Sequence, residues 1–233
     1  MCSRPCIITS SCAMTCCAAC CRGLSGCAAR IRNKKMMTLK RIVGVALVAS
    51  LLATPALAAD ASAWAVDAKA SRITFTGRQM GVPSKGEFKR MTATVRFDPA
   101  DLVASMVDML IDVASADTGN RAIDQELRRP KWFHAARFPN ARFVTTAFQA
   151  KSGNRYEAAA KLTIRDVTRD VVLPFTLDIG EDRADPSQLV ARASGELTIS
   201  RLQYGIGQDE WKDTAIVADA VVIRVDVVAR RKK

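Results

Sequence analysis

A chain of 233 residues has room for one or two domains. Its formal net charge of +12 sits at the two ends: residues 1–58 hold 8 of the 35 Lys and Arg and none of the 23 Asp and Glu, and Arg230-Arg231-Lys232-Lys233 holds four more. The stretch between is close to neutral with both signs interspersed, which argues against a basic nucleic-acid face. All eight cysteines fall within the first 27 residues, so the body of the chain has no disulfide, thiol nucleophile or thiolate metal site.

The first 58 residues read as processing signals. Met37-Thr38-Leu39-Lys40-Arg41 is a short basic segment, 42–52 is apolar, and Pro55-Ala56-Leu57-Ala58 supplies an A-x-A cleavage pattern. Residues 36–58 are therefore expected to be a secretory signal peptide. Residues 1–35 then stand upstream of two natural starts, Met36 and Met37, and are expected to be a mis-called extension. The rival reading is a cysteine-rich metal-binding segment; Cys17-x-x-Cys20 has ligand spacing, but no second well-spaced pair follows. Residues 59–233 form the expected mature body, ending in a basic tail expected to be disordered.

Within the body, alternation of apolar and polar residues predicts strands. Trp64 to Asp67 is a first short one. Ser71 to Arg78 follows, with Ile73 and Phe75 on one face, and Gly81-Val82-Pro83-Ser84 marks a bend. Gly86 to Phe97 is a long strand whose parity changes between Phe88 and Met91, so a bulge is expected near Lys89-Arg90. Val107, Met109, Ile111 and Val113 define the next strand. Asp117-Thr118-Gly119-Asn120 supplies turn chemistry, and Asn120 can cap a helix carrying Ile123 and Leu127 on one face until Pro130. Trp132 and Phe133 form an aromatic plug. Strands follow at 140–150, 156–164, 171–179, 189–199 and 221–227. Residues 165–170 read as a polar turn, and 201–214 as an irregular loop.

One helix set among strands joined by short connections fits either a closed antiparallel barrel or a two-sheet sandwich. Strand length and the lack of edge protection favour the barrel. Chemistry is sparse. His134 is the one histidine, without a spacing motif around it; the Asp98/Asp101 and Asp182/Asp185 pairs sit in turns, and Gly205-Ile206-Gly207 is not a phosphate loop. No catalysis, cofactor or metal is expected. Many inward positions are small, among them Ala93, Ala158, Ala160, Ala191 and Ala193. The barrel is then either packed solid or hollow enough for a slender ligand, and pattern alone does not separate the two.

Eight segments in order give the chain a specific likeness from Trp64 to Ala229. They are Trp64-x-Val66-Asp67 with Ser71-x-Ile73-Thr74-Phe75; Met80-Gly81-Val82; Gly86-x-Phe88; Phe97-Asp98-Pro99; Asp117-Thr118-Gly119-Asn120 with Asp124-x-x-Leu127-Arg128; Phe138-Pro139-x-Ala141-x-Phe143; Leu162-Thr163-Ile164-Arg165-x-Val167-Thr168-Arg169; and Tyr204-Gly205-Ile206-Gly207. With these the body resembles the YceI family of bacterial periplasmic proteins.

The resemblance implies an all-β fold: an extended, eight-stranded, antiparallel, lipocalin-like barrel with a short helix near its mouth. It implies a periplasmic, non-catalytic binding protein holding a long isoprenoid, a polyprenyl lipid or a quinone tail, as carrier or store. Phe75, Met91, Val95, Phe97, Met109, Ile111, Phe143, Leu162, Phe175, Leu197 and Ile223 are then the expected tunnel lining. Met80, Trp132, Phe133, Asp124 and Arg128 are expected at the mouth. A homodimer and transient membrane contact fit the same resemblance; no nucleic acid does. The chain departs from the family at Ala70, Gln79 and Glu126, where histidines are common, and at Asp166 and Asp170, where Gly and Pro are common. The Asp124–Arg128 cluster reads either as a brace for the helix or as a head-group contact. Other readings are a binder of a different long-chain lipid such as a fatty acid or amide, a lipid-head-group enzyme, and a filled barrel acting through its surface.

Overall fold

The computed structural model describes residues 63–233. The proposed extension, the signal peptide and its cleavage site lie outside the described residues. Eleven strand segments and one helix follow in order: β1 (Ala63–Val66), β2 (Arg72–Gln79), β3 (Val82–Phe88), β4 (Met91–Arg96), β5 (Met106–Asp112), β6 (Ala116–Asp117), α1 (Arg121–Leu127), β7 (Asn140–Ala150), β8 (Arg155–Ile164), β9 (Val167–Glu181), β10 (Gln188–Ser200) and β11 (Ala220–Lys232). All pairings are antiparallel. β1, β4, β5, β7, β8, β9, β10 and β11 form a ring, closed where Ala65 pairs with Arg230 and Val66 with Ala229. β2, β3 and β6 extend the lines of β1, β4 and β5, so the architecture is an eight-stranded closed barrel. Closure leaves the ring without a free outer edge.

The break at Lys89-Arg90 falls where the parity change places it. Lys89 N–H donates to Ser115 O, and Arg90 N–H to Ser115 Oγ at 3.0 Å, so the two residues step out of the ladder without losing backbone bonds. Each face of a strand then keeps one character. On β8, Ala158, Ala160, Leu162 and Ile164 are all buried. The helix starts as its sequence indicates: Asn120 Oδ1 accepts from Ala122 N at 3.0 Å and Ile123 N at 3.4 Å.

Four expectations need correction. Val82–Ser84 is strand, not bend, because Met80 (φ 48°) and Gly81 (φ 80°) make a two-residue hairpin turn. The polar turn after β8 is only Arg165-Asp166; Thr168, Arg169 and Asp170 belong to β9, with exposed side chains. Residues 201–214 are more regular than expected, with short 3₁₀ turns at Arg201–Tyr204 and Asp209–Lys212. The basic tail is strand as far as Lys232: Arg230 is held by Asp67 at 2.6 Å and Asp182 at 2.8 Å, and Lys233 by Glu181 at 2.5 Å.

Candidate functional site

The small side chains turned inward leave space along the barrel. Ala158, Ala191, Ala193, Gly195 and Ala229 all border a cavity of about 150 Å³. Around it Phe97 meets Phe148, Tyr156 and Phe175 edge-on at 5.1, 5.6 and 6.4 Å, favoured geometries for aromatic rings. Polar groups in this wall are already engaged. Thr145 Oγ1 accepts from Val107 N at 2.8 Å, and Trp64 Nε1 donates to Phe97 O at 2.9 Å. A second cavity of about 210 Å³ lies toward α1 and shares Leu162 and Ile223 with the first. Its apolar part includes the Phe75–Phe88 pair at 5.2 Å and the Phe88–Phe133 pair at 5.8 Å. Its rim is polar, with Arg78, Gln79, Ser84, Thr118 and Glu126. Both sections are mainly apolar, and most of the polar lining side chains are gathered on the second.

Of the residues expected in the lining, Val95, Phe97, Met109, Phe143, Phe175 and Leu197 border the first cavity, Phe75 and Ile111 the second, and Leu162 and Ile223 both. Met91 borders neither: it faces inward just after the strand break and packs against the core. Trp132 and Phe133 border the second cavity. Met80 stands at the hairpin tip, 77% exposed, next to rim residue Gln79. Asp124 and Arg128 border neither cavity, because their side chains bond the neighbouring loop. Asp124 Oδ1 accepts from Thr118 N at 2.8 Å and Thr118 Oγ1 at 2.7 Å; Arg128 Nε donates to Ala114 O at 2.9 Å. This geometry matches the brace reading. His134 borders neither section and packs edge-on against Phe138 at 5.7 Å.

Arg201 is the residue whose importance the sequence hid. It is 1% exposed, and its guanidinium donates to the carbonyls of Ala218 (3.0 Å), Ile206 (2.9 Å), Gly207 (3.3 Å), Trp211 (2.6 Å) and Val217 (2.7 Å). Burial pulls its pKa down, and Asp219 nearby opposes the shift. One side chain thereby stitches residues 206–218 over the α1 end of the barrel. Gly207 has no Cβ because one there would collide with the guanidinium. An arginine directly after an apolar strand was the available signal, and it reads equally well as an exposed loop residue.

The sequence of residues 64–229 matches the YceI-like domain family model. A UPF0312 protein from Enterobacter sp. (strain 638) is 29% identical over 165 residues, which is 69% of this chain and 84% of that protein. Among solved structures, BcnA of Burkholderia cenocepacia superposes with a TM-score of 0.64 at 37% identity, covering 70% of this chain and 98% of that one. A polyisoprenoid binding domain from Saccharophagus degradans has the same fold at 15% identity and a TM-score of 0.55, covering 73% of this chain and 98% of that one. With a match that takes in nearly the whole barrel, this chain belongs to the YceI-like domain family.

Proposed function

We propose that this chain is a non-catalytic, periplasmic binding protein that holds the tail of a long isoprenoid lipid or quinone inside its barrel. The observation that carries the reading is the two-section interior: an apolar section whose polar groups are already hydrogen-bonded, joined to a section with a polar rim. An amphiphile fits that arrangement with its tail in the first section and its head beside Arg78, Gln79 and Ser84. Burying about ten methylene equivalents contributes ~8 kcal/mol, so no charged anchor is required. The solved fold relative that is a polyisoprenoid binding domain supports the ligand class. The location of His134 outside both sections supports a binding role over catalysis. Export rests on the signal-like segment at 36–58. Transient membrane contact is supported by Met80 and Val82, 77% and 67% exposed at the hairpin tip beside the rim.

Titration of the delipidated protein with dansylated geranylgeraniol tests the ligand class. Saturable binding displaced by polyprenol but not by palmitate is expected. Displacement by palmitate at equal concentration would replace the isoprenoid reading with a general linear-chain one.

A further inference from the structure

The barrel wall has a seam. The β9–β10 ladder runs from the Glu181–Leu189 pair to the Phe175–Gly195 pair and stops. Beyond that point Val167–Pro174 stay paired with β8, and Glu196–Ser200 stay paired with β11, but the two inner edges have no ladder between them. The cause is local. A Cβ at Gly195 would lie 2.7 Å from Pro174 O and 2.9 Å from Phe175 Cβ, so the backbones touch there with the Pro174 peptide edge toward β10. Proline has no N–H to continue the ladder on that edge, and the strands part. At the other end of the seam Arg169 Nε donates to Gln203 O at 3.0 Å.

Between these two points lies a cleft of about 450 Å³. Outward residues Val172 and Thr198 border it, and so do inward residues Val171, Leu197 and Ile199. A continuous ladder cannot present both faces of its strands to one cleft, because neighbouring strands lie only ~4.8 Å apart. Leu197 also borders the first internal cavity, and Ile199 the second. The seam therefore lies over the junction of the two sections, with these side chains between it and the interior.

The ends of the barrel are braced by comparison. Arg201 stitches the α1 end through five carbonyls. At the opposite end Arg230 ties Asp67 to Asp182, and Trp64 bonds Phe97 O. Segments with few backbone bonds open at the least cost in free energy. We propose that the seam between β9 and β10 is a lateral portal: a flexible apolar chain enters and leaves sideways, past Leu197 and Ile199, as the strands part. This rests on the isoprenoid-tail reading above and adds the route by which the tail is loaded.

The test closes the seam covalently. Extending the Phe175–Gly195 register places Val172 opposite Thr198, both exposed. The full chain carrying V172C and T198C is joined with a short, reductant-cleavable bis-maleimide. The parent and each single-cysteine chain receive the same reagent, because Cys2 to Cys27 also react. Peptide mass mapping confirms the 172–198 link, and stopped-flow fluorescence follows uptake and release of dansylated geranylgeraniol. A portal slows both by about tenfold or more and leaves the equilibrium Kd unchanged, because a gate alters rates and not end states. Cleaving the linker restores the rates in the same molecules, which separates gating from damage to the fold. Unchanged rates in a linked chain that still binds the probe overturn the portal and leave the tunnel standing. Failure of the unlinked parent to bind the probe removes the tunnel, and the portal with it.

Discussion

Phe75 and Gly86 are cross-strand partners on β2 and β3, and the Phe75 ring fills the space that a side chain at position 86 would occupy. The ring also borders the second cavity, so the glycine positions part of the cavity wall. Gly86→Val forces the ring away. Overpacking of this kind costs about 1–3 kcal/mol, expected as a lower urea midpoint with an unchanged slope. Affinity for dansylated geranylgeraniol should fall with it. Full affinity in a folded Gly86→Val chain would show that Phe75 does not shape the site.

Alanines make the room in the first section. Ala158 is 2% exposed on β8, and Ala193 faces the same cavity from β10. Ala193→Phe should fill the section and weaken binding of a long tail by at least about tenfold, or 1.4 kcal/mol. A short prenol that occupies only the second section should lose less. Binding assays across prenols of increasing length check this; equal losses at all lengths would point to a general disturbance instead.

Arg201 should be the most sensitive polar position. Arg201→Met keeps much of the bulk but leaves five buried or part-buried carbonyls without their donor. Each buried acceptor left unsatisfied costs about 1–3 kcal/mol. Hydrogen exchange should show loss of protection concentrated in 206–218, ahead of the barrel strands.

Acid should loosen the end opposite α1. Asp67 is held below the usual carboxylate range by the Arg230 hydrogen bond first and by backbone N–H groups after it; Asp182 is lowered by the Ala184 N–H first and then by Arg230. A depressed folded pKa stabilises the fold above the unfolded value of about 3.9, and that stability is lost as pH falls through the folded value. Tm should be level from pH 7 to about 5 and fall below about 4. Arg230→Leu should shrink the decline without abolishing it, because backbone N–H groups still lower Asp67 and Asp182, and Arg142 independently lowers Asp108.

Most strand faces were legible because period two allows only two choices per strand, and one was plainly apolar. Residues such as Phe97, Leu162 and Phe175 could be assigned to the interior for that reason. Their packing could not: Met91 has the same alternation as Val95, yet beside the Lys89-Arg90 break it meets core instead of cavity. Charged strand ends were illegible for a related reason. Thr168-Arg169-Asp170 and Arg230-Arg231-Lys232 look like solvated turn and tail, but the tight hairpin to Lys161, Leu162 and Thr163 holds the first in β9, and distant partners Val190, Leu189 and Gln188 hold the second in β11. The Pro174–Gly195 juxtaposition that opens the seam joins residues 21 apart and appears only once the register is known.

Native mass spectrometry of the protein purified from a bacterial periplasm, with organic extraction of whatever it carries, tests whether the barrel holds an isoprenoid. A stoichiometric adduct is expected, with the extracted mass of a polyprenyl lipid or an isoprenoid quinone. An empty protein that also fails to take up added geranylgeraniol would contradict the isoprenoid reading.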